Sequence, residues 1–193
     1  MTTDASDAAL ARSAAEGDDR AFAVLVRRHK EPLYRLLRRY TGDSDEAYEA
    51  THEAFIAAWG ALKRYDPSRS FVAWLRTIAI NKARDRGRRM LVRRVIFGSK
   101  NLDDADVLEK ADPAAGAEEE VLQDEQAKRL DRAVSRLPSA LKEALLLTAF
   151  EGMSQQEAAQ ILGVSVKTIE TRVYRARKIL VDRLDPDMRP GAV

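Results

Sequence analysis

The chain of 193 residues carries 33 Lys and Arg against 31 Asp and Glu, a formal net charge of +2, and no cysteine. Disulfides and thiolate metal sites are therefore excluded, as in a chain kept in a reducing compartment. No run of about eighteen apolar residues offers a membrane span, and MTTDASDAALARSAAEGDD has neither the basic flank nor the apolar centre of a signal peptide. The expectation is a cytoplasmic protein with no membrane insertion. The small net charge hides a segregation: Lys82 to Arg94 is densely basic, Asp103 to Glu125 is acidic, and the last helical stretch is basic again. Local charge governs partners more than the total does.

From about Asp18, the spacing Phe22, Leu25, Val26, His29, Leu33, Leu36, Leu37, Tyr40 predicts a helix that Pro32 must kink or restart. Thr41-Gly42-Asp43 closes it. Asp43 with Glu46 resembles a capping box, and the next helix places Ala47, Ala50, Ala54, Phe55, Ala58 and Leu62 on one side and Glu46, Glu49 and Glu53 on the other. Lys63-Arg64-Tyr65-Asp66-Pro67-Ser68-Arg69 reads as a loop. Ser70 then caps a third helix that buries Phe71, Trp74, Leu75, Ile78 and Ala79. Outward it shows Arg76, Thr77, Asn81, Lys82, Arg84 and Asp85, and it runs on into Arg86, Arg88 and Arg89.

Residues 98–118, GSKNLDDADVLEKADPAAGAE, lose periodicity and gain Gly, Pro and acid, the composition of a flexible linker. Helical spacing returns from Glu119 with Leu122, Leu130, Val134 and Leu137, and Pro138 suits the first turn of the helix after it. The stretch Met153–Leu180 then reads as a helix-turn-helix. Ser154 three residues before Glu157 forms a capping box, Ala158, Ala159, Ile161 and Leu162 are the buried side, and Gly163 ends the first helix. Ser165 caps the second, whose stripe Val166, Ile169, Val173, Ala176, Leu180 faces the first. Its outer face collects Lys167, Thr168, Thr171, Arg172, Arg175 and Lys178, with Tyr174 and Arg177 at the margins. Hydroxyls and guanidiniums on one face suit base edges and phosphates. Glu170 is the only acid between Glu157 and Asp182.

The expected fold is all-α, with no convincing strand: two small helical domains at 18–97 and 119–185, a linker at 98–118, and tails at 1–17 and 186–193. Within it, RLPSALKEALLLTAFEGMSQQEAAQILGVSVKTIETRVYRARKIL resembles region 4 of the extracytoplasmic-function (ECF) group of sigma-70 family sigma factors. FAVLVRRHKEPLYRLLRRYTGDSDEA, EAFIAAW and YDPSRSFVAWLRTIAINKARDRGRR are similar to region 2 of the same group, in the same order, so that the resemblance spans roughly residues 18–184.

The resemblance implies a subunit that binds core RNA polymerase, directs it to promoters and helps open the DNA, without being an enzyme and without a cofactor or small-molecule substrate. It implies that the face around Glu46, Glu49, His52 and Glu53 docks on the clamp coiled coil of the beta-prime subunit, and that region 4 engages the beta flap. Minus-10 contacts would fall on Lys63, Arg64, Tyr65, Ser68, Arg69, Arg76, Thr77, Asn81, Lys82 and Arg84. Minus-35 contacts would fall on Ser165, Lys167, Thr168, Glu170, Thr171, Arg172, Tyr174, Arg175 and Lys178. An anti-sigma factor is an expected partner. The linker is either a solvated spacer or a segment threaded through polymerase near the nucleic-acid path.

Chemistry supports a second DNA surface independently. Tyr65, Phe71 and Trp74 beside Arg and Lys can offer rings to an unstacked base, although Phe71 and Trp74 lie on the apolar stripe, so Asn81, Lys82 and Arg84 have the better claim. Two departures bear on detail. Ala50-Thr51-His52-Glu53 stands where the family often has a hydrophobic-Gln pair, and Glu170 stands where it commonly has a basic or small polar residue. Glu170 is either held by a cation such as Lys167 or aimed at a base.

An enzyme reading begins from Glu49-x-x-His52, the spacing of di-iron bundles, but the only other histidine, His29, has Val26 where its carboxylate should be. His29 is expected to pack between helices. A pure protein-interaction module is disfavoured by the basic outer face of the last helix, and the serious rival is a ligand- or partner-responsive helix-turn-helix regulator that acts without core polymerase. It would need a sensory pocket or dimer interface upstream, where this chain instead carries a second basic surface.

Overall fold

The computed structural model of the protein describes residues 5–97 and 128–184, and all regular structure in them is helical. The first domain contains α1 (Asp7–Ala15), α2 (Asp19–Thr41), α3 (Ser44–Ala61), a 3-10 turn at Leu62–Arg64 and α4 (Phe71–Phe97). The second contains α5 (helical at 128–135), α6 (Ser139–Leu145) continued by a π-helical turn at Leu146–Phe150, α7 (Gln155–Leu162) and α8 (Val166–Leu184). The expected linker at 98–118, the start of the expected 119–185 unit and the tail at 186–193 lie outside the described residues.

Side-chain caps set where the helices begin. The Asp18 carboxylate accepts from the amides of Arg20 and Ala21 at 2.9 and 3.2 Å, and Ser70 Oγ accepts from Ala73 N at 3.3 Å. Each satisfies an amide that the helix itself leaves without an acceptor. At α3 the anticipated capping box is half formed. Asp43 accepts from Glu46 N at 2.8 Å, but the Glu46 carboxylate turns to Arg86 Nε at 3.0 Å. Helix α2 also runs through Pro32 without restarting, because buried Leu33, Leu36 and Leu37 anchor the following turn and outweigh the one amide donor that proline lacks.

The segment expected as an N-terminal tail folds in part as α1. Its Leu10, Ala11 and Ala14 are buried, and Asp7 bonds both Arg28 Nη1 at 2.8 Å and His29 Nε2 at 2.7 Å. The His29 ring packs against Phe71, with centroids 5.5 Å apart, as a packing role requires. Small residues explain how α3 fits between α2 and α4: Ala47, Ala50, Ala54 and Ala58 are fully buried and let the backbones approach. Leu25, Leu36, Leu37 and Leu75 fill the space around them, each contributing about 1.5–3 kcal/mol.

The two domains are docked. Leu145, Leu146, Ala176 and Leu180 of the second join the apolar core of the first. In the other direction, Ile80 of α4 is 2 % exposed and enters a cluster with Ala144, Leu147, Ala158, Ala159 and Ile169. Where α2 ends, Gly42 adopts φ 77°, and a Cβ there would stand 2.7 Å from both Cβ and Oγ of Ser135 on α5. Only glycine combines that left-handed turn with so close an approach.

Candidate nucleic-acid interface

The helix-turn-helix forms as its sequence dictates. Ser154 Oγ accepts from Glu157 N at 3.2 Å while the Glu157 carboxylate accepts from Ser154 N at 2.9 Å. The bond from Ser154 N, with a second that Ser154 Oγ donates to the same carboxylate at 2.8 Å, holds the Glu157 carboxyl below the usual carboxylate range. Gly163 ends α7 at φ 64°, and Ser165 Oγ then caps α8 by accepting from Thr168 N at 3.2 Å. Ile169, Ala176 and Leu180 are buried, with Val166 and Val173 partly so.

That rotation turns Ser165, Lys167, Glu170, Thr171, Tyr174, Arg175 and Lys178 fully outward, with Thr168 and Arg172 half-buried at the edge. Five of these residues are bonded to one another along α8 and its cap. Ser165 Oγ and Thr168 Oγ1 bond each other at 2.8 Å, Thr171 Oγ1 donates to Lys167 O at 2.9 Å, and Lys167 Nζ donates to Glu170 Oε2 at 3.3 Å. Of the two readings of Glu170, this geometry is that of a carboxylate held by a cation one turn back.

In the first domain the loop before α4 is tethered rather than open. The Asp66 carboxylate accepts from Ser68 N at 3.0 Å and Ser68 Oγ at 2.8 Å, which keeps its pKa low. Tyr65 corrects an expectation: its ring is buried against Phe71 and Trp74, and its hydroxyl donates to Arg69 O at 2.6 Å. An aromatic face committed to the core cannot stack on a base, so Tyr65 shapes the loop instead. Lys63, Arg64, Ser68 and Arg69 are exposed around it, and Asn81 is exposed on α4 beside half-buried Thr77 and Lys82.

Arg76 and Arg84 are a second correction. Both were expected to face outward, but both point at the second domain. Arg84 Nη2 and Nε donate to Glu143 at 2.6 and 3.1 Å, and Arg76 pairs with Glu151. The hydrogen bond to Glu143 raises the Arg84 pKa further.

The four acidic and imidazole positions on α3 divide. Glu49 and His52 are exposed, whereas Glu46 and Glu53 turn to α4 and bind Arg86 at 3.0 and 2.6 Å. His52 lies in an apolar groove of about 720 Å³ between α2 and α3 whose walls include Phe22, Val26, Phe55, Ile56 and Trp59. Ile56 is 65 % and Trp59 41 % exposed. Sequence reasoning passed over both. The signal was present, because Ile56 and Trp59 follow His52 at helical steps of four and three and so share its outward face.

The chain matches Sigma-70 region 2 over residues 25–91 and Sigma-70 region 4 over residues 127–180. It is 39 % identical over 188 residues to the RNA polymerase sigma factor CnrH of Cupriavidus metallidurans, covering 97 % of this chain and 98 % of that protein. The solved structure of CnrH in complex with the cytosolic domain of CnrY superposes with a TM-score of 0.65 at 34 % identity, over 94 % of this chain and 98 % of that one. The sigma factor RpoE of Bartonella quintana, solved with the anti-sigma factor NepR, shares the fold at a TM-score of 0.68 and 22 % identity, over 86 % of this chain and 98 % of that one.

The chain therefore belongs to the ECF group of sigma-70 family RNA polymerase sigma factors. Such a protein binds core polymerase and promoter DNA and acts as an initiation factor rather than an enzyme. Among the described residues no helix is long and apolar enough to cross a membrane.

Proposed function

We propose that α8 reads the minus-35 element, that the α4 face with its preceding loop engages the minus-10 element where strands separate, and that α3 docks on core polymerase. The observation that carries this division is that one chain holds two basic surfaces on separate helical domains, at Lys167–Lys178 and at Lys63–Arg84. Each is too small to give strong specificity alone, and joining them multiplies their effect. On α8, Lys167, Thr168, Thr171, Arg172, Tyr174, Arg175 and Lys178 meet DNA, while Ser165 and Glu170 order the helix start. On α4, Asn81 and Lys82 contact the opened strand, with Thr77 beside them. Lys63, Arg64, Ser68 and Arg69 hold its backbone, and Arg76 and Arg84 join once the second domain has moved.

Polymerase binding uses Glu49 and His52 together with the groove beside them, on the beta-prime clamp coiled coil, and the second domain meets the beta flap. The protein works in the cytoplasm, where an anti-sigma partner competes for it. The deciding experiment is in vitro transcription with bacterial core polymerase and a promoter selected from a randomised pool. Specific transcripts are expected only when this protein is added, with Asn81→Ala and Lys82→Ala reducing permanganate reactivity of the minus-10 thymines. Tight binding to an operator by the free protein, with no transcript in excess of core alone, would return the alternative of a helix-turn-helix regulator that acts without core polymerase.

A further inference from the structure

Arg76, Ile80 and Arg84 recur at steps of four along α4 and so form one ridge on that helix. The second domain covers all three. Glu151, at the end of the π-helical turn, takes Arg76, and both side chains are largely buried. Ile80 enters the apolar cluster of α6, α7 and α8. Glu143 on α6 is 2 % exposed and receives Arg84 through two guanidinium nitrogens and the Tyr40 hydroxyl at 3.1 Å.

Next to it Lys142 is 7 % exposed, and its ammonium donates to Tyr40 O at 2.8 Å and Ser135 O at 2.5 Å. Those carbonyls belong to the last turns of α2 and α5, where the helix dipoles favour a cation. Arg39 adds a pair to Asp131 at 3.0 Å and lies 4.7 Å from the centre of the Phe150 ring. Two adjacent, oppositely charged, buried residues, Glu143 satisfied by the first domain and Lys142 by one carbonyl of each domain, form a specific dock. Charges buried in this way stay in place only when paired.

We propose that Glu143 and Glu151 act as phosphate stand-ins, holding the sigma factor in a closed state in which its own second domain occupies the arginines and the ridge that promoter DNA requires. The inference rests on the α4 face being the minus-10 surface. A guanidinium that holds a carboxylate through two nitrogens presents the donor pattern it would present to a phosphate, so DNA and the second domain compete for the same donors. The apparent affinity of the free chain for minus-10 DNA is then reduced by the fraction of molecules that are open.

The absence of cysteine from the chain permits a clean test on the full-length protein. Cysteines placed at exposed Ala23 on α2 and Gln160 on α7 would carry spin labels for pulsed distance measurements. Binding of a fluorescent single-stranded minus-10 oligonucleotide would be read in parallel. The parent should give one narrow distance distribution, and the double variant Glu143→Gln, Glu151→Gln a broad and longer one, with oligonucleotide affinity raised about tenfold or more. Ile80→Ala, which removes no charge, should open the protein in the same way and guards against a folding defect in the carboxylate variant. A broad distribution in the parent, or an unchanged one in both variants, overturns the closed state. Opening without any gain in oligonucleotide binding leaves the dock standing but overturns the phosphate stand-in, whereas the assignment of α4 to the minus-10 element falls only if Asn81→Ala and Lys82→Ala leave permanganate reactivity unchanged.

Discussion

At the scale of single residues, Lys142 shows how burial sets chemistry. Desolvation pulls its pKa from 10.5 down to about 8, against the opposing pull of Glu143, which favours the ammonium. Because the folded value lies below the unfolded one, the unfolded chain binds the proton more tightly between these limits. This group therefore adds stability as pH rises from about 8 towards 10.5. An NMR titration of the labelled Lys142 ammonium should show a midpoint near 8, displaced lower still in Glu143→Gln; an ordinary lysine midpoint would mean the side chain is solvated. On α8, the exposed Arg175 should divide by role. Arg175→Ala should cost about 1–3 kcal/mol with relaxed preference at one base if it reads sequence, or reduce the salt slope of promoter binding by about one if it touches phosphate. Neither Lys142 nor Glu143 stands out in the sequence. A Lys-Glu pair on a helix reads as solvated surface, and the groups that bury it, Tyr40 and Arg84, are 102 and 59 residues away.

At the scale of elements, what was legible depended on whether the signal is local. The helix-turn-helix is written within a few residues, in Ser154 with Glu157, in Gly163 and in Ser165, and the structure follows it closely. Helix α1 was missed because its short apolar set Leu10, Ala11, Ala14 acquires meaning only against α2. Tyr65 was misjudged because a loop aromatic flanked by cations has the same sequence pattern whether its ring faces a base or the core. Helix α3 adds a distinct lesson, since the carboxylates Glu46 and Glu53 serve the fold while the apolar Ile56 and Trp59 remain exposed in the groove. Large, half-exposed aromatics in a groove tend to dominate interface energy. Trp59→Ala should therefore weaken core-polymerase binding by about 2 kcal/mol or more, measured by competition for core, with circular dichroism unchanged. A loss confined to Glu49→Ala, with Trp59→Ala neutral, would place the contact on charge instead of the groove.

At the scale of the whole molecule, the two DNA faces proposed for the separate domains predict independence once polymerase holds the protein. The promoter-opening penalties of Arg175→Ala and Lys82→Ala should add to within about 0.5 kcal/mol in the holoenzyme, as for distant sites that share no partner. Marked non-additivity in open-complex assays would show that the domains still touch there. The tight meeting of Gly42 and Ser135 has a consequence that belongs to genetics. Any side chain at position 42 must displace Ser135, and asparagine tolerates the left-handed turn better than most. A screen for strains that transcribe the target genes without the inducing signal should therefore return Gly42→Asn. Such an allele should be dominant over the parental copy, because the altered protein competes for polymerase from the moment it is made.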